Sequence, residues 1–220
     1  LVIIGDTHGC IKTLKALVKK LPHRDICLLG DLVDRGPDSA EVVKYVRENN
    51  FKTVKGNHEE MMLVANHPNR HFSDVMLWEN NGGINTKNSY LKFPKEQMED
   101  DLKWMSTLPL YIEYTNKKGQ HYIMSHSNTN YVWDKRESSP KEFQNWALWS
   151  REFGEDWADN QGNIGDSINV VGHTVQTGPK RIKNILFLDT GCVFTHSNGY
   201  GILTAYDLET NEFYTQENID

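Results

Sequence analysis

Three short strings rich in aspartate, histidine, asparagine and arginine occur early in the chain. They are Gly5-Asp6-Thr7-His8-Gly9, Gly30-Asp31-Leu32-Val33-Asp34-Arg35-Gly36 and Gly56-Asn57-His58-Glu59, and His126 and Gly172-His173 follow much later. Neutral imidazole suits transition metals, whereas carboxylate and amide oxygens suit harder cations. Asp6, His8, Asp31, Asn57, His126 and His173 together make a mixed donor set suited to two ions that share one carboxylate. Such a pair sits about 3.5–4 Å apart and can hold an attacking hydroxide between its members. The flanking glycines let backbone come close to ions and phosphate oxygens without a side-chain clash. Taken singly, each string has a plainer account: Asp-x-His as a turn, Asn57 and Glu59 as a helix start, Gly-His as nothing at all. The joint pattern is different, because one specified four-residue string arises by chance in roughly one chain per thousand of this length.

The elements that must position these residues are strand ends. Leu1-Val2-Ile3-Ile4 is a short β-branched run closing in Gly5, and Ile26-Cys27-Leu28-Leu29 is a second run closing in Gly30. A third, Thr53-Val54-Lys55, ends in Gly56. Between them, Ile11, Leu14, Leu17, Val18 and Leu21 follow helical spacing up to Pro22. A second helix starts at Pro37-Asp38-Ser39 and turns Val42, Val43 and Val46 inward, and a third is expected near Met61 to Ala65. From His67 to about Lys95 the pattern weakens, and Asn80-Asn81-Gly82-Gly83 marks a loop. Alternation resumes at 111–114 and 121–124, paired across Asn116 to Gly119, and strands are expected near 169–171, 185–188 and 200–206. Strand–helix alternation of this kind predicts an α/β fold with a parallel or mixed sheet, and ligands in such folds bind beyond the carboxyl ends of the strands.

The chain has 220 residues, 25% of them charged and 38% hydrophobic, an ordinary globular balance. With no linker, repeat or low-complexity tract, residues 1–220 read as one domain. Lys plus Arg number 24 against 30 Asp plus Glu, a formal charge of −6, which argues against general affinity for a nucleic-acid backbone. Apolar runs are too short to predict a membrane span. Cys10, Cys27 and Cys192 form an odd, scattered set, neither a disulfide framework nor a thiolate metal site, and this favours a reducing, cytoplasmic setting.

Asp6-Thr7-His8, the run from Asp31 to Gly36, the run from Gly56 to Glu59, His126 and Gly172-His173 resemble the signature of calcineurin-like metallophosphoesterases. Asp34-Arg35-Gly36 resembles the phosphoprotein phosphatase branch. The compact length, Asn81-Gly82-Gly83, Trp149-Ser150-Arg151 and Asp189-Thr190-Gly191 resemble its small bacterial and phage members, which are serine/threonine protein phosphatases. The similarity runs from Gly5 to about Phe194 and is strongest in the first 60 residues. It implies an α-β-β-α sandwich, two mixed sheets flanked by helices. It also implies that Asp6, His8 and Asp31 bind one divalent ion and that Asp31 bridges to a second completed by Asn57, His126 and His173. Manganese is the implied metal, with iron or zinc as alternatives.

By the same resemblance, His58 donates a proton to the leaving oxygen and is held by Asp34, which meets the requirement for a general acid oriented by a carboxylate. Arg35 and Arg151 grip the phosphoryl oxygens, since a planar guanidinium matches two of them at once. A hydroxide attacks in line, and no phosphoenzyme forms. The implied activity is hydrolysis of phosphate monoesters, with a phosphoprotein or phosphopeptide bearing phosphoserine or phosphothreonine as substrate and phosphotyrosine as an extension. A nucleotide-directed relative, such as a symmetrical diadenosine tetraphosphate hydrolase or a cyclic phosphodiesterase, is the alternative, although dinucleotide hydrolases commonly lack the Asp of the Asp-Arg-Gly triplet. A non-catalytic protein of the same fold is the remote alternative, disfavoured because no expected position is lost.

Two departures stand out: Ser127-Asn128 follow His126 where relatives more often have a small Ala or Gly, and Thr7 replaces an aliphatic residue. His67, His71 and His196 read as surface or loop residues. Cys10 reads as a small packed residue. Trp146, Trp149, Phe153 and Trp157 recur at helical spacing and read as a packed helix stripe rather than an aromatic substrate wall.

Overall fold

The computed structural model describes residues 1–22, 25–151, 164–195 and 199–220. Its first sheet is built on β1 (Val2–Ile4), β2 (Ile26–Leu28) and β3 (Lys52–Thr53), which run parallel with Val2 opposite Ile26 and Leu28 opposite Thr53. β9 (Ile202–Asp207) adds antiparallel to β1 and β10 (Phe213–Glu217) closes that edge, giving the order β10-β9-β1-β2-β3. The second sheet has the order β4-β5-β6-β8-β7. In it β5 (His121–Ser125), β6 (Ile168–Val171) and β8 (Ile185–Phe187) are parallel. β4 (Tyr111–Thr115) and β7 (Lys180–Ile182) lie antiparallel on its two edges.

Side-chain alternation assigns each strand's residues to one of two layers, because successive Cβ atoms point to opposite faces. Ile3, Cys27 and Leu29 face inward with Leu1 and pack on Tyr122, Met124, Ile168, Val170, Leu186 and Leu188 of the second sheet. Val2, Ile4, Ile26 and Leu28 face outward onto α1 (Ile11–Lys20) and α2 (Ser39–Glu48), through Leu14, Leu17, Val18, Val42, Val43 and Val46. On the far side, Ile123 packs with Phe143 and Ala147 of α7 (Pro140–Trp149) and with Val132 and Trp133 of a 3₁₀ turn (Asn130–Lys135). Each such aliphatic side chain withdrawn from water contributes about 1.5–3 kcal/mol. The architecture is therefore helix, sheet, sheet, helix, as the resemblance implied. No helix among the described residues is long and apolar enough to cross a membrane.

The structure differs from the sequence reading in the middle of the chain. The third strand is Lys52–Thr53, one step earlier than predicted. The weakly patterned stretch after α3 (Asn57–Asn66) holds α4 (Phe72–Trp78) and α5 (Ile84–Tyr90), and α6 (Lys95–Ser106) follows it. The predicted loop at 80–83 is a π-helical turn over Glu79–Gly83 joining α4 to α5, broken only at Gly82, whose φ is 105°. α4 and α5 lack an apolar stripe: Trp78 is the one buried residue of α4, and α5 buries Thr86, Ser89 and Tyr90. His67 and His71 are exposed at helix ends, as expected, and His196 lies outside the described residues. All three cysteines are free and buried. Trp146 packs on Tyr131, Trp149 is 39% exposed, and Phe153 and Trp157 lie outside the described residues.

α1 matters to the site because it begins directly after Asp6 and His8, and it has no local cap: Cys10 precedes it without a side-chain hydrogen bond to its first turn. Asp220 supplies the cap from the far end of the chain. Its carboxylate accepts from Lys12 N at 3.0 Å, Thr13 N at 2.9 Å and Thr13 Oγ1 at 2.7 Å. Losing a capping carboxylate typically costs about 1 kcal/mol. Asp220→Ala should therefore lower the melting temperature by roughly 2–4 °C for a domain of this size; an unchanged thermal unfolding curve would show that α1 does not depend on this cap.

Candidate metal centre

Each polar string begins where a strand of one sheet ends, and the backbone there turns sharply. His8, Asp31, Asp34, Arg35 and His173 all have positive φ, between 43° and 70°. Non-glycine residues rarely adopt this region, and where they do the surrounding structure must hold them. At Gly172 a different constraint operates, since a Cβ there would overlap Asp6 Oδ1. Only glycine lets the strand that carries His173 come this close to the carboxylate from the other sheet.

The six sequence-predicted donors are all buried, and the structure gathers them in one place. Asp31 lies at the centre. Its Oδ2 is 3.5 Å from His8 Nε2 and 3.9 Å from His58 Nε2, and its Oδ1 is 3.4 Å from His126 Nε2. Two groups able to hold an ion result, His8–Asp31–His58 and Asp31–His126–His173, with Asp31 common to both. Asn57 Oδ1 joins the second at 2.8 Å from His126 Nε2, and His173 Nδ1 lies 3.1 Å from the same nitrogen. Asp6 anchors the two halves by accepting His173 N–H on Oδ2 at 3.0 Å. The first group contains His58 and not Asp6, whose Oδ1 nevertheless remains buried and unpartnered.

The hydrogen bonds show which imidazole nitrogens carry lone pairs. His8 Nδ1 lies 2.9 Å from Val33 O and His126 Nδ1 lies 2.7 Å from Leu29 O, so both donate there and present Nε2 without a proton. His126 Nε2 then faces the oxygens of Asn57 and Asp31, acceptor against acceptor. Arg35 Nη1 donates to His8 Nε2 at 2.7 Å, a cationic group on that lone pair. Among the described residues only four buried side-chain N or O atoms lack a partner, and three belong here: Asp6 Oδ1, His58 Nε2 and His173 Nε2. Native proteins leave few such atoms. Converging lone pairs and orphaned atoms are what a cation site requires, so the residues present fit bound metal.

Electrostatics agree with this fit. Burial would raise the Asp31 carboxyl, but the imidazoles around it, His126 foremost, hold it well below the usual range. Burial, with Asp189 and Asp31 adding repulsion, pushes Asp6 well up. Burial lowers His8 strongly, His126 to a smaller extent and His173 to about 2, so the imidazoles are neutral and ready to ligate.

His58 and Asp34 meet as the sequence reading expected: His58 Nδ1 is 2.7 Å from Asp34 Oδ2. Asp34 is fully buried and further held by Trp78 Nε1 at 2.9 Å and Thr86 Oγ1 at 2.6 Å. Arg151, by contrast, is exposed and reaches the site through Nη1, which donates to His173 O at 3.1 Å. Ser127, the departure after His126, lies 3.0 Å from Trp146 O and 2.7 Å from Ser150 O, tying the end of α7 and hence Arg151 to the metal loop.

Several supporting residues had no role in the sequence reading. Trp78 and Thr86 lie in the stretch whose pattern was weakest. Asn169 accepts Thr129 N at 3.0 Å and donates to Ile123 O at 2.9 Å, bracing the loop after His126. Glu59 is buried, and its carboxylate accepts Asp31 N at 2.8 Å, Leu32 N at 2.7 Å and Gly56 N at 2.8 Å. Its motif was legible, but only as a helix first turn.

Comparison with known proteins agrees with this geometry. Residues 1–198 match the family model described as calcineurin-like phosphoesterase. The chain is 30% identical to the asymmetrical bis(5'-nucleosyl)-tetraphosphatase PrpE of Oceanobacillus iheyensis, over 96% of this chain and 89% of that one. It is also 30% identical to serine/threonine-protein phosphatase 1 of Salmonella typhimurium, over 87% of this chain and 86% of that one. A solved metallophosphoesterase from Sphaerobacter thermophilus superposes with a TM-score of 0.61 at 15% identity, covering 99% of this chain and 88% of that one, a likeness of fold. The chain thus belongs to the calcineurin-like phosphoesterase family, the metal-dependent hydrolases of phosphate esters.

Proposed function

We propose that the protein is a phosphomonoesterase acting on phosphoserine and phosphothreonine of proteins, with a centre for two divalent ions, manganese foremost. Asp6, His8 and Asp31 would hold one ion, and Asp31, Asn57, His126 and His173 the other. When bound, the ions supply positive charge against the phosphoryl oxygens and acidify water. Arg35 and Arg151 bind and orient the phosphoryl group, and their charge opposes the charge that develops on its oxygens. The observation that carries the reading is the His58–Asp34 pair. With Nδ1 committed to Asp34 at 2.7 Å and Nε2 without a partner, His58 is placed to deliver a proton from Nε2 to a leaving alkoxide. That service matters most for serine and threonine esters, whose alkoxides leave poorly. Likeness to a serine/threonine-protein phosphatase over most of both chains supports the same reading.

A second reading, hydrolysis of dinucleoside polyphosphates, has its own support in the PrpE relative, which covers more of this chain. The two separate on one measurement. Chelator-stripped protein should release phosphate from a phosphoserine peptide only after manganese is restored. Silence toward the peptide with manganese bound, together with cleavage of diadenosine tetraphosphate, would replace the first reading with the second.

The proton-donor role has a separate test. His58→Asn should lower kcat on phosphoserine peptide by about 10²–10⁴-fold. Manganese stoichiometry should hold, and an aryl phosphate, whose phenolate needs no proton to leave, should suffer far less. Equal losses on both substrates would overturn the proton-donor role, and a fall in manganese stoichiometry would assign His58 to metal binding instead.

A further inference from the structure

Arg35 is where the buried donors meet the rim of the site. Its Nη1 touches His8 Nε2 at 2.7 Å, and its guanidinium carbon lies 5.6 Å from the centre of the Phe194 ring. One planar group therefore separates that ring from the metal centre. Phe194 rises from a tight turn after Asp189-Thr190-Gly191, where Gly191 O accepts Phe194 N at 2.8 Å and Gly201 N at 3.0 Å. Tyr200 stands edge-on behind it, with ring centroids 6.4 Å apart and planes at 69°. Gly191 has a φ of 66°, and a Cβ there would crowd Val175, Phe194 and Tyr200, so the turn is built to bring the two rings together.

Neither ring joins the apolar clusters of the fold, and Phe194 is 37% exposed. An aromatic ring left open beside a cation gains only part of the cation–π attraction available to it. Its remaining surface suits another flat group, since stacked rings attract beyond their buried area. A phosphoryl group held by Arg35 carries its own substituents past this surface.

We propose that Phe194 and Tyr200 form an aromatic shelf that receives a planar ring borne by the substrate beyond its phosphate, an aryl group or a nucleobase. The inference rests on Arg35 as a phosphoryl ligand and adds a specificity element to that site.

The test uses manganese-loaded protein and three substrates: phosphoserine peptide, p-nitrophenyl phosphate and diadenosine tetraphosphate, with inhibition by inorganic phosphate measured alongside. Phe194→Ala should lower kcat/KM for a ring-bearing substrate, relative to the peptide, roughly tenfold. Phe194→Trp should restore that ratio. A loss confined to p-nitrophenyl phosphate identifies an aryl ligand; one confined to the dinucleotide identifies a nucleobase. A parallel fall on all three substrates with weaker phosphate inhibition would show that Phe194 only braces Arg35, and would overturn the shelf. Unchanged ratios in an active enzyme would overturn it as well. Wild-type protein inert toward every substrate, with manganese bound, would instead overturn the phosphoesterase reading of the site and the shelf with it.

Discussion

Three hydrogen bonds to one buried carboxylate set the geometry on which the centre depends. Glu59 receives the N–H groups of Asp31, Leu32 and Gly56, and so fastens the loop after β2 to the start of α3. Asp31 has a φ of 49°, a conformation costly for a residue with a side chain. Burial, reinforced by the Asp31 charge, pushes Glu59 up to about 7, so the carboxylate too is held at a cost. The three hydrogen bonds offset both costs: the turn exposes three N–H groups, and the Glu59 carboxylate accepts all of them. The result is a carboxylate common to both ligand groups, whose two oxygens face different clusters of imidazoles.

Much of this was legible in the sequence because the donors are chemically conspicuous and sit at strand ends. Strands such as Val2–Ile4 and Ile26–Leu28 are short apolar runs, and glycine marks where each stops. The residues that hold the donors are harder to read. Trp78 and Thr86 fix Asp34 from α4 and α5, yet these helices show no hydropathy pattern, because α5 turns Thr86 and Ser89 inward rather than aliphatic side chains. Ser89 Oγ in turn accepts Ala40 N at 3.1 Å, tying α5 to the start of α2. β10 was missed for a related reason: its alternation is weak, and pairing with β9 defines it. Polar side chains chosen for hydrogen bonding leave no periodicity, so supporting residues escape a reading based on periodicity.

The same contrast explains the electrostatics. Asp6, Asp31, Asp34, Glu59 and Asp189 are all buried, while His8, His126 and His173 are driven toward neutrality. Burial also pushes Asp189 up to about 6. Carboxyl groups thus outnumber cationic side chains here, Arg35 and Arg151 being the cations at the rim among the described residues. Burial and the neighbouring carboxylates Asp189 and Asp31 push Asp6 upward, a mark of that imbalance. Cations relieve it, because they stabilise every carboxylate in the charged form and occupy the imidazole lone pairs.

The donors come from both sheets, so the centre exists only across the seam between them. Asp6, His8, Asp31 and Asn57 follow strands of the first sheet; His126 and His173 follow β5 and β6 of the second. Two hydrogen bonds register the halves, His126 Nδ1 to Leu29 O and His173 N to Asp6 Oδ2. Beneath them lies the apolar layer of Leu1, Ile3, Cys27 and Leu29 against Met124, Val170 and Leu188. Interiors pack at crystal-like density, so this layer transmits a change in side-chain volume as a shift between the sheets. Because a ligand constellation tolerates errors of only about 0.5 Å, the packing between the sheets is part of the candidate metal centre. A methylene lost from this layer would shift the donors without any change to a donor residue.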